Sequence, residues 1–131
     1  MKILFDSNIL ISAGVFKSKN LLEILEIIKR KKFTLILSDS VISETKGVVR
    51  SKFARFENRF LEFFKTVEYE LFIIDETIKS DVDISDPKDR HVILTAQQAG
   101  VDVLITGDSD FFEKDFGIRI LRPSEFLTKY A

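Results

Sequence analysis

Apolar positions in this chain fall into short unbroken runs separated by longer stretches of helical spacing, and that alternation predicts the fold. Lys2 to Phe5, Thr34 to Leu37, Glu70 to Ile74, Val101 to Thr106 and Ile118 to Leu121 are runs of the length and character of strands buried on both faces. Between them the apolar spacing changes to three and four. A helix starts at Ser7, a second runs from about Asn20 to Lys32, a third from about Asp39 to Arg50, and a fourth, after a break, from about Ser51 to Val67. The acidic stretch from Asp75 to Asp86 reads as a loop with a helical turn. Pro87 restarts a helix with Asp86 as its N-cap, Gly100 ends it, and Ser124 is expected to cap a short final helix. Strands alternating with helices predict an α/β domain, a three-layer α/β/α sandwich around a central, mostly parallel sheet of about five strands.

Four acids stand out against that framework. Asp6 and Asp108 follow the first and fourth apolar runs, which places both at carboxyl ends of strands, the edge where open α/β sheets bind ligands. Glu44 interrupts the apolar stripe of Val41, Thr45, Val48 and Val49. Asp89 opens the stripe that continues through Val92, Ile93, Ala96 and Ala99. An acid on the inward face of a helix needs a partner. Each strand-end Asp taken alone is better read as a cap or turn residue. Jointly, two strand-end acids and two stripe-interrupting acids in one small α/β domain point to a shared carboxylate site, and convergent carboxylates suggest a metal.

At 131 residues, 45% of them hydrophobic, the chain is expected to form a single domain over residues 1–131 with one core. It has no cysteine, which excludes disulfides and thiolate metal sites and makes the cytoplasm the expected compartment. The amino-terminal run is broken by Asp6 and Asn8 before it reaches the length of a signal peptide, and no stretch approaches the roughly 20 apolar residues of a membrane span. The formal charge is −1, with 20 Lys and Arg against 21 Asp and Glu. Setting aside the four acids and Asp110 leaves 16 acids against the same 20 bases. A basic surface around an acidic centre suits a polyanionic substrate.

The phrases FDSNILISA, VISETKGVV, DPKDRHVILTAQQAG and VLITGDSDF, in that order, together resemble a PIN-domain ribonuclease, and the closing RPSEFL is similar to the ending of the prokaryotic toxin components related to VapC. The resemblance implies a PIN-like fold and maps the family's acids onto Asp6, Glu44, Asp89 and Asp108 as catalytic and metal-binding residues, with Asp110 close behind. It also implies supporting roles for Ser7, Asn8 and Thr106 around those acids. The implied cofactor is Mg2+ or Mn2+, which hard oxygen ligands suit, and the implied reaction is cleavage of single-stranded RNA to a 5′-phosphate and a 3′-hydroxyl. Implied partners are an RNA substrate, a cognate antitoxin protein and, since PIN-domain toxins are commonly homodimers, a second copy of the chain.

The remaining features weigh less. His91, two residues after Asp89, points to another side of its helix and reads as a surface or packing residue. Lys46, Arg50 and Arg55 lie on the middle helices, either as a solvated face or as an RNA-facing rim. Phe53, Phe56, Phe60, Phe63 and Phe64 fall on one helical face, which reads first as core, although five rings exceed what a small helix needs and so suggest a subunit contact. Two other readings keep the PIN fold: a non-catalytic RNA- or protein-binding module, and a housekeeping RNA-processing nuclease. A phospho-accepting receiver domain would need an acid pair after the first strand and a lysine after the last, where this chain has FDSN and ILRP.

Overall fold

The computed structural model describes residues 1–80 and 82–131. Five parallel strands form one sheet in the order β3-β2-β1-β4-β5, with β1 at Lys2–Phe5, β2 at Thr34–Ser38, β3 at Glu70–Phe72, β4 at Val103–Ile105 and β5 at Arg119–Leu121. The three inner strands are those with the densest apolar runs. Ile3, Leu4 and Phe5 are fully buried, as are Leu104 and Ile105, which is the burial that parallel strands covered on both faces require. The chain winds outward from β1 to β3, then returns to place β4 on the other side of β1. That reversal makes the gap between β1 and β4 the switch point of the sheet.

Helices α1 (Ser7–Gly14), α2 (Lys19–Arg30), α3 (Asp39–Lys52) and α4 (Glu57–Lys65) lie within the outward crossovers, and α5 (Pro87–Ala99) lies within the return crossover. Parallel crossovers are right-handed, so α1 to α4 cover one face and α5 the other. This is the expected three-layer α/β/α arrangement. Ser38 caps α3 by accepting a hydrogen bond from the Val41 N–H at 3.0 Å. Val41, Thr45 and Val49 then form its buried stripe, and the Thr45 hydroxyl is satisfied by the Val41 carbonyl at 2.7 Å. At α5 the expected punctuation is present throughout. Asp86 accepts from the Lys88 N–H, Pro87 occupies the first turn, and Gly100 ends the helix at a left-handed φ of 67°.

Several boundaries differ from the sequence expectation. Helix α6 (Pro123–Tyr130) is capped by Arg122, not Ser124, because the fixed φ of Pro123 suits the first helical position and moves the cap to the residue before it. Strand β3 stops at Phe72, opposite Ser38 at the end of β2, and so has no ladder partner as far as Ile74. The break between α3 and α4 is a single 3-10 turn, Ala54–Phe56. Asp81, part of the expected acidic loop, lies outside the described residues. Among the described residues no helix is long and apolar enough to cross a membrane.

The phenylalanine stripe is core, as its first reading expects. Phe60 and Phe63 are buried and Phe53, Phe56 and Phe64 are partly buried against the core, with the Phe60 and Phe64 rings stacked at 5.9 Å between centroids. The rings fill the space beneath α1, and Gly14 shows how closely. A Cβ on Gly14 would lie 2.5 Å from Phe60 Cδ2 and 2.8 Å from Phe63 Cδ2, whereas one on Gly47 in α3 would meet nothing within 4 Å.

The two helical glycines therefore predict opposite outcomes. Gly14→Ala overpacks the α1–α4 contact and should destabilise by about 1–3 kcal/mol. Gly47→Ala should be neutral or stabilising by about 0.5–1 kcal/mol through the better helix former. Urea unfolding of the two variants checks this, and equal losses would contradict it.

Candidate active site

Asp6 leaves β1 directly into α1 and is buried, with 7% of its surface exposed. It caps α1, accepting the Ser7 N–H at Oδ1 (2.7 Å), while Oδ2 accepts the Thr106 hydroxyl at 3.0 Å. Thr106 follows β4, whose Ile105 pairs with Phe5 of β1. The same Thr106 oxygen also accepts the Asp108 N–H at 3.1 Å. One hydroxyl thus ties the two strand-end acids across the switch point. Asp108 in turn caps a 3-10 turn at Ser109–Phe112 by accepting the Asp110 N–H at 2.9 Å. The choice between cap and site residue is therefore not exclusive, because each strand-end Asp uses one oxygen locally and keeps the carboxylate at the sheet edge.

Asp89, in the first turn of α5, completes the cluster from the other face of the sheet. Ligand oxygens from Asp89, Asp108 and Asp110 all lie within 4.8 Å of one another. Around an octahedral ion with bonds near 2.1 Å, neighbouring and opposed oxygens stand about 3 and 4.2 Å apart, so small rotations of these side chains would suffice to hold one. Every donor is a carboxylate, and the chain has no cysteine and one histidine, so the set has the hard oxygen character that suits a divalent cation such as Mg2+ or Mn2+. Among the described residues this trio includes Asp110 and leaves out Asp6, whose charge acts on Asp89, and Glu44, whose charge acts on Asp6.

Glu44 is half-buried on α3, and its Oε1 lies 3.4 Å from the Lys88 ammonium on α5. Its charge, with that of Asp108, acts on Asp6. Ser7 contributes its backbone N–H, and Asn8 is exposed on the next helical position. Of the basic residues, Lys46 lies over the Phe64 ring at 5.3 Å, Arg50 pairs with Glu57 at 3.1 Å, and Arg55 lies over the Phe56 ring at 5.7 Å. His91 is half-buried and lines an open cleft together with Glu44 and Lys88. The sequence reading missed Lys88. Its signal was present as a cation in the first turn of a helix, immediately before a candidate ligand, where the helix dipole disfavours it.

Crowding of carboxylates shows in their ionisation. Burial pushes the Asp6 carboxyl above its ordinary value; the Thr106 and Ser7 hydrogen bonds oppose this, and the charges of Glu44 and Asp108 reinforce it. Asp89 is pushed up to about 6, first by desolvation and then by Asp86, Asp108, Asp6 and Asp110. A raised carboxyl pKa means that the folded protein holds a proton which the unfolded chain has lost. Stability associated with Asp89 is therefore fully present below about 4 and is lost as pH rises through about 6.

Melting curves should accordingly show Asp89→Asn more stable than the parent at pH 7, with the difference shrinking to nothing below pH 4. A difference that does not change with pH would argue that Asp89 feels no such crowding.

A family model described as the PIN domain matches residues 2–110. Solved structures with the same fold include a chain of VapBC2 from Rickettsia felis bound to a DNA fragment from its promoter, with 18% identity, TM-score 0.72 and coverage of 93% of this chain and 98% of that one. A chain of DNA-bound VapBC from Salmonella typhimurium has 20% identity and TM-score 0.67, covering 94% and 98%. A PilT N-terminus domain protein from the archaeon Sulfolobus solfataricus has 16% identity and TM-score 0.55, covering 100% and 94%. The chain matches no functionally curated protein. The family match begins at Lys2 and runs through Asp110, so that it takes in every acid of the cluster, and the chain belongs to the PIN-domain family.

Proposed function

We propose that this protein is a divalent-metal-dependent endoribonuclease that hydrolyses single-stranded RNA, with Asp6, Glu44, Asp89 and Asp108 as its catalytic acids and Asp110 as a further metal ligand. The observation that carries the reading is the meeting of Asp89, Asp108 and Asp110 within 4.8 Å beside the buried Asp6, at the carboxyl edge of the sheet. Like charges at that spacing repel, and a binding cation relieves the repulsion. When held there, Mg2+ or Mn2+ supplies Lewis-acid polarisation of a phosphoryl oxygen and acidification of the attacking water.

The protein's own residues supply positioning. Thr106 fixes the Asp6 carboxylate through its hydroxyl and the Asp108 backbone through its oxygen, so that the two acids keep their separation. Water adds to the phosphorus and the bond to O3′ breaks, leaving a 5′-phosphate on one fragment and a 3′-hydroxyl on the other. Asp6, Asp89 and Asp108 surround the point where that charge develops, while Glu44 closes the side towards α3.

The structural relatives that come from VapBC complexes support a further reading of this chain as the toxin of a toxin–antitoxin pair, with an antitoxin protein as its partner. Self-association as a homodimer belongs to the same proposal. Of the phenylalanine stripe, Phe60 and Phe63 pack inside, which leaves the partly buried Phe53, Phe56 and Phe64 as the rings a second copy could touch. Light scattering of the purified chain tests it directly.

Purified protein given Mn2+ or Mg2+ should cut single-stranded RNA to 5′-phosphorylated fragments. Chelation, or any one of Asp6→Asn, Asp89→Asn and Asp108→Asn, should reduce the rate by roughly a hundredfold or more, since losing a ligand misplaces both ion and water. The metal should also raise the melting temperature by binding the native state alone. Tight RNA binding without cleavage, across several metals and RNAs, would instead support a non-catalytic module.

A further inference from the structure

Two clefts flank helix α3. The first, about 730 Å³, lies between α3 and the start of α5 and is lined by Glu44, Lys88 and His91. The second, about 550 Å³, lies on the other side of α3 and is lined by Lys46, Arg50 and Tyr69. They share Asp39, Ser43 and Gly47. Gly47 therefore sits on the saddle between them, and the space above it is open, since a Cβ there would meet nothing within 4 Å. The two clefts thus adjoin across α3 at a position where the helix carries no side chain, and a site acid, Glu44, lines the first of them.

Lys88 has no evident stabilising role. It stands in the first turn of α5, where a cation opposes the helix dipole. Its ammonium pairs with Glu44 at 3.4 Å, but the side chain is 70% exposed, and such pairs contribute little. The first cleft also carries Asp39 and Glu76, so Lys88 is the one fixed positive charge among its described lining residues. A polyanion lying there would have a single place to set a phosphate. Across the saddle, Lys46 and Arg50 offer the next positive charges. Tyr69 has its ring held by Phe64 at 5.4 Å and remains 38% exposed. Rings beside a cationic track are what single-stranded nucleic acid uses for stacking.

We infer that the two clefts together form the track of the RNA strand: Lys88 binds a phosphate next to the scissile one, the strand crosses α3 over Gly47, and Lys46 and Arg50 bind a phosphate beyond it. His91 and Tyr69 present their rings to the bases on either side of the crossing. This deepens the ribonuclease reading and rests on it, and it assigns Lys88, His91 and Gly47 to substrate positioning. In the absence of a strand, the Lys88 ammonium turns to Glu44.

The test is binding of a short fluorescent single-stranded RNA to the full chain, with divalent ions chelated, followed by anisotropy over a salt series. Lys88→Gln should weaken binding about fivefold and flatten the slope of log affinity against log salt by about 0.7, the share of one phosphate contact on a single strand. Lys46→Gln with Arg50→Gln should flatten it by at least as much. Gly47→Leu should weaken binding by filling the saddle while the melting temperature holds or rises. Lys31→Gln, at the end of α2 and away from both clefts, should change neither quantity. An unchanged slope for Lys88→Gln overturns the track, as does parental binding by a folded Gly47→Leu. If the parent protein still cuts RNA with metal in the same preparation, only the track falls. A parent that neither binds nor cuts RNA removes the ribonuclease reading and the track with it.

Discussion

The pairing register between β1 and β4 is the constraint on which the rest of this site depends. Phe5 lies opposite Ile105, so the next residue of each strand, Asp6 and Thr106, emerges at the same height on the same edge. A hydroxyl and a carboxylate then meet at 3.0 Å, far from each other in sequence and buried from water. A slip of one residue would turn every side chain of a strand to the opposite face, bringing Thr106 away from Asp6 and the apolar run away from its layer. The fold and the site are therefore specified by one feature, and damage to either is damage to both.

The cluster is costly in isolation. Asp6 loses hydration, Asp89 is pushed up to about 6, and several negative charges share a small space at the sheet edge. The fold offsets this locally. Asp6 accepts the Ser7 N–H and the Thr106 hydroxyl, Asp108 accepts the Asp110 N–H, and among the described residues no buried side-chain polar atom lacks a partner. What these bonds leave unrelieved is the mutual charge of the carboxylates, Asp89 above all. That is the condition under which a cation, and not a rearrangement of the chain, gives relief.

Much of this was legible in the residues. Asp86, Pro87 and Gly100 announced α5 because their caps act locally, and the buried strands announced themselves by composition. The Asp at each strand end was ambiguous, since Asp6 and Asp108 both cap and both face the site, and no local signal separates those roles. Ser124 was misjudged because a proline two residues from a strand outweighs a serine as a helix start. The Phe stripe reads as core from its spacing, and the close approach of Phe60 and Phe63 to Gly14 is what the spacing alone does not reveal. Lys88 escaped because a cleft between α3 and α5 is made by the packing of distant segments, and helical periodicity carries no record of what a helix will face.

The bare backbone at Gly14 has a consequence for how this protein can be lost. Helix α1 runs from the capping Asp6 to Gly14, a rod of eight residues with an acid fixed at one end and two phenylalanine rings pressed against the other. Any side chain at Gly14 must push α1 or α4 aside, and the first of these carries the Ser7 N–H that holds Asp6. Selection against the activity would therefore find targets well outside the acidic cluster. A single base change in the Gly14 codon would thus reach the site through the packing of α1, with every carboxylate still in place.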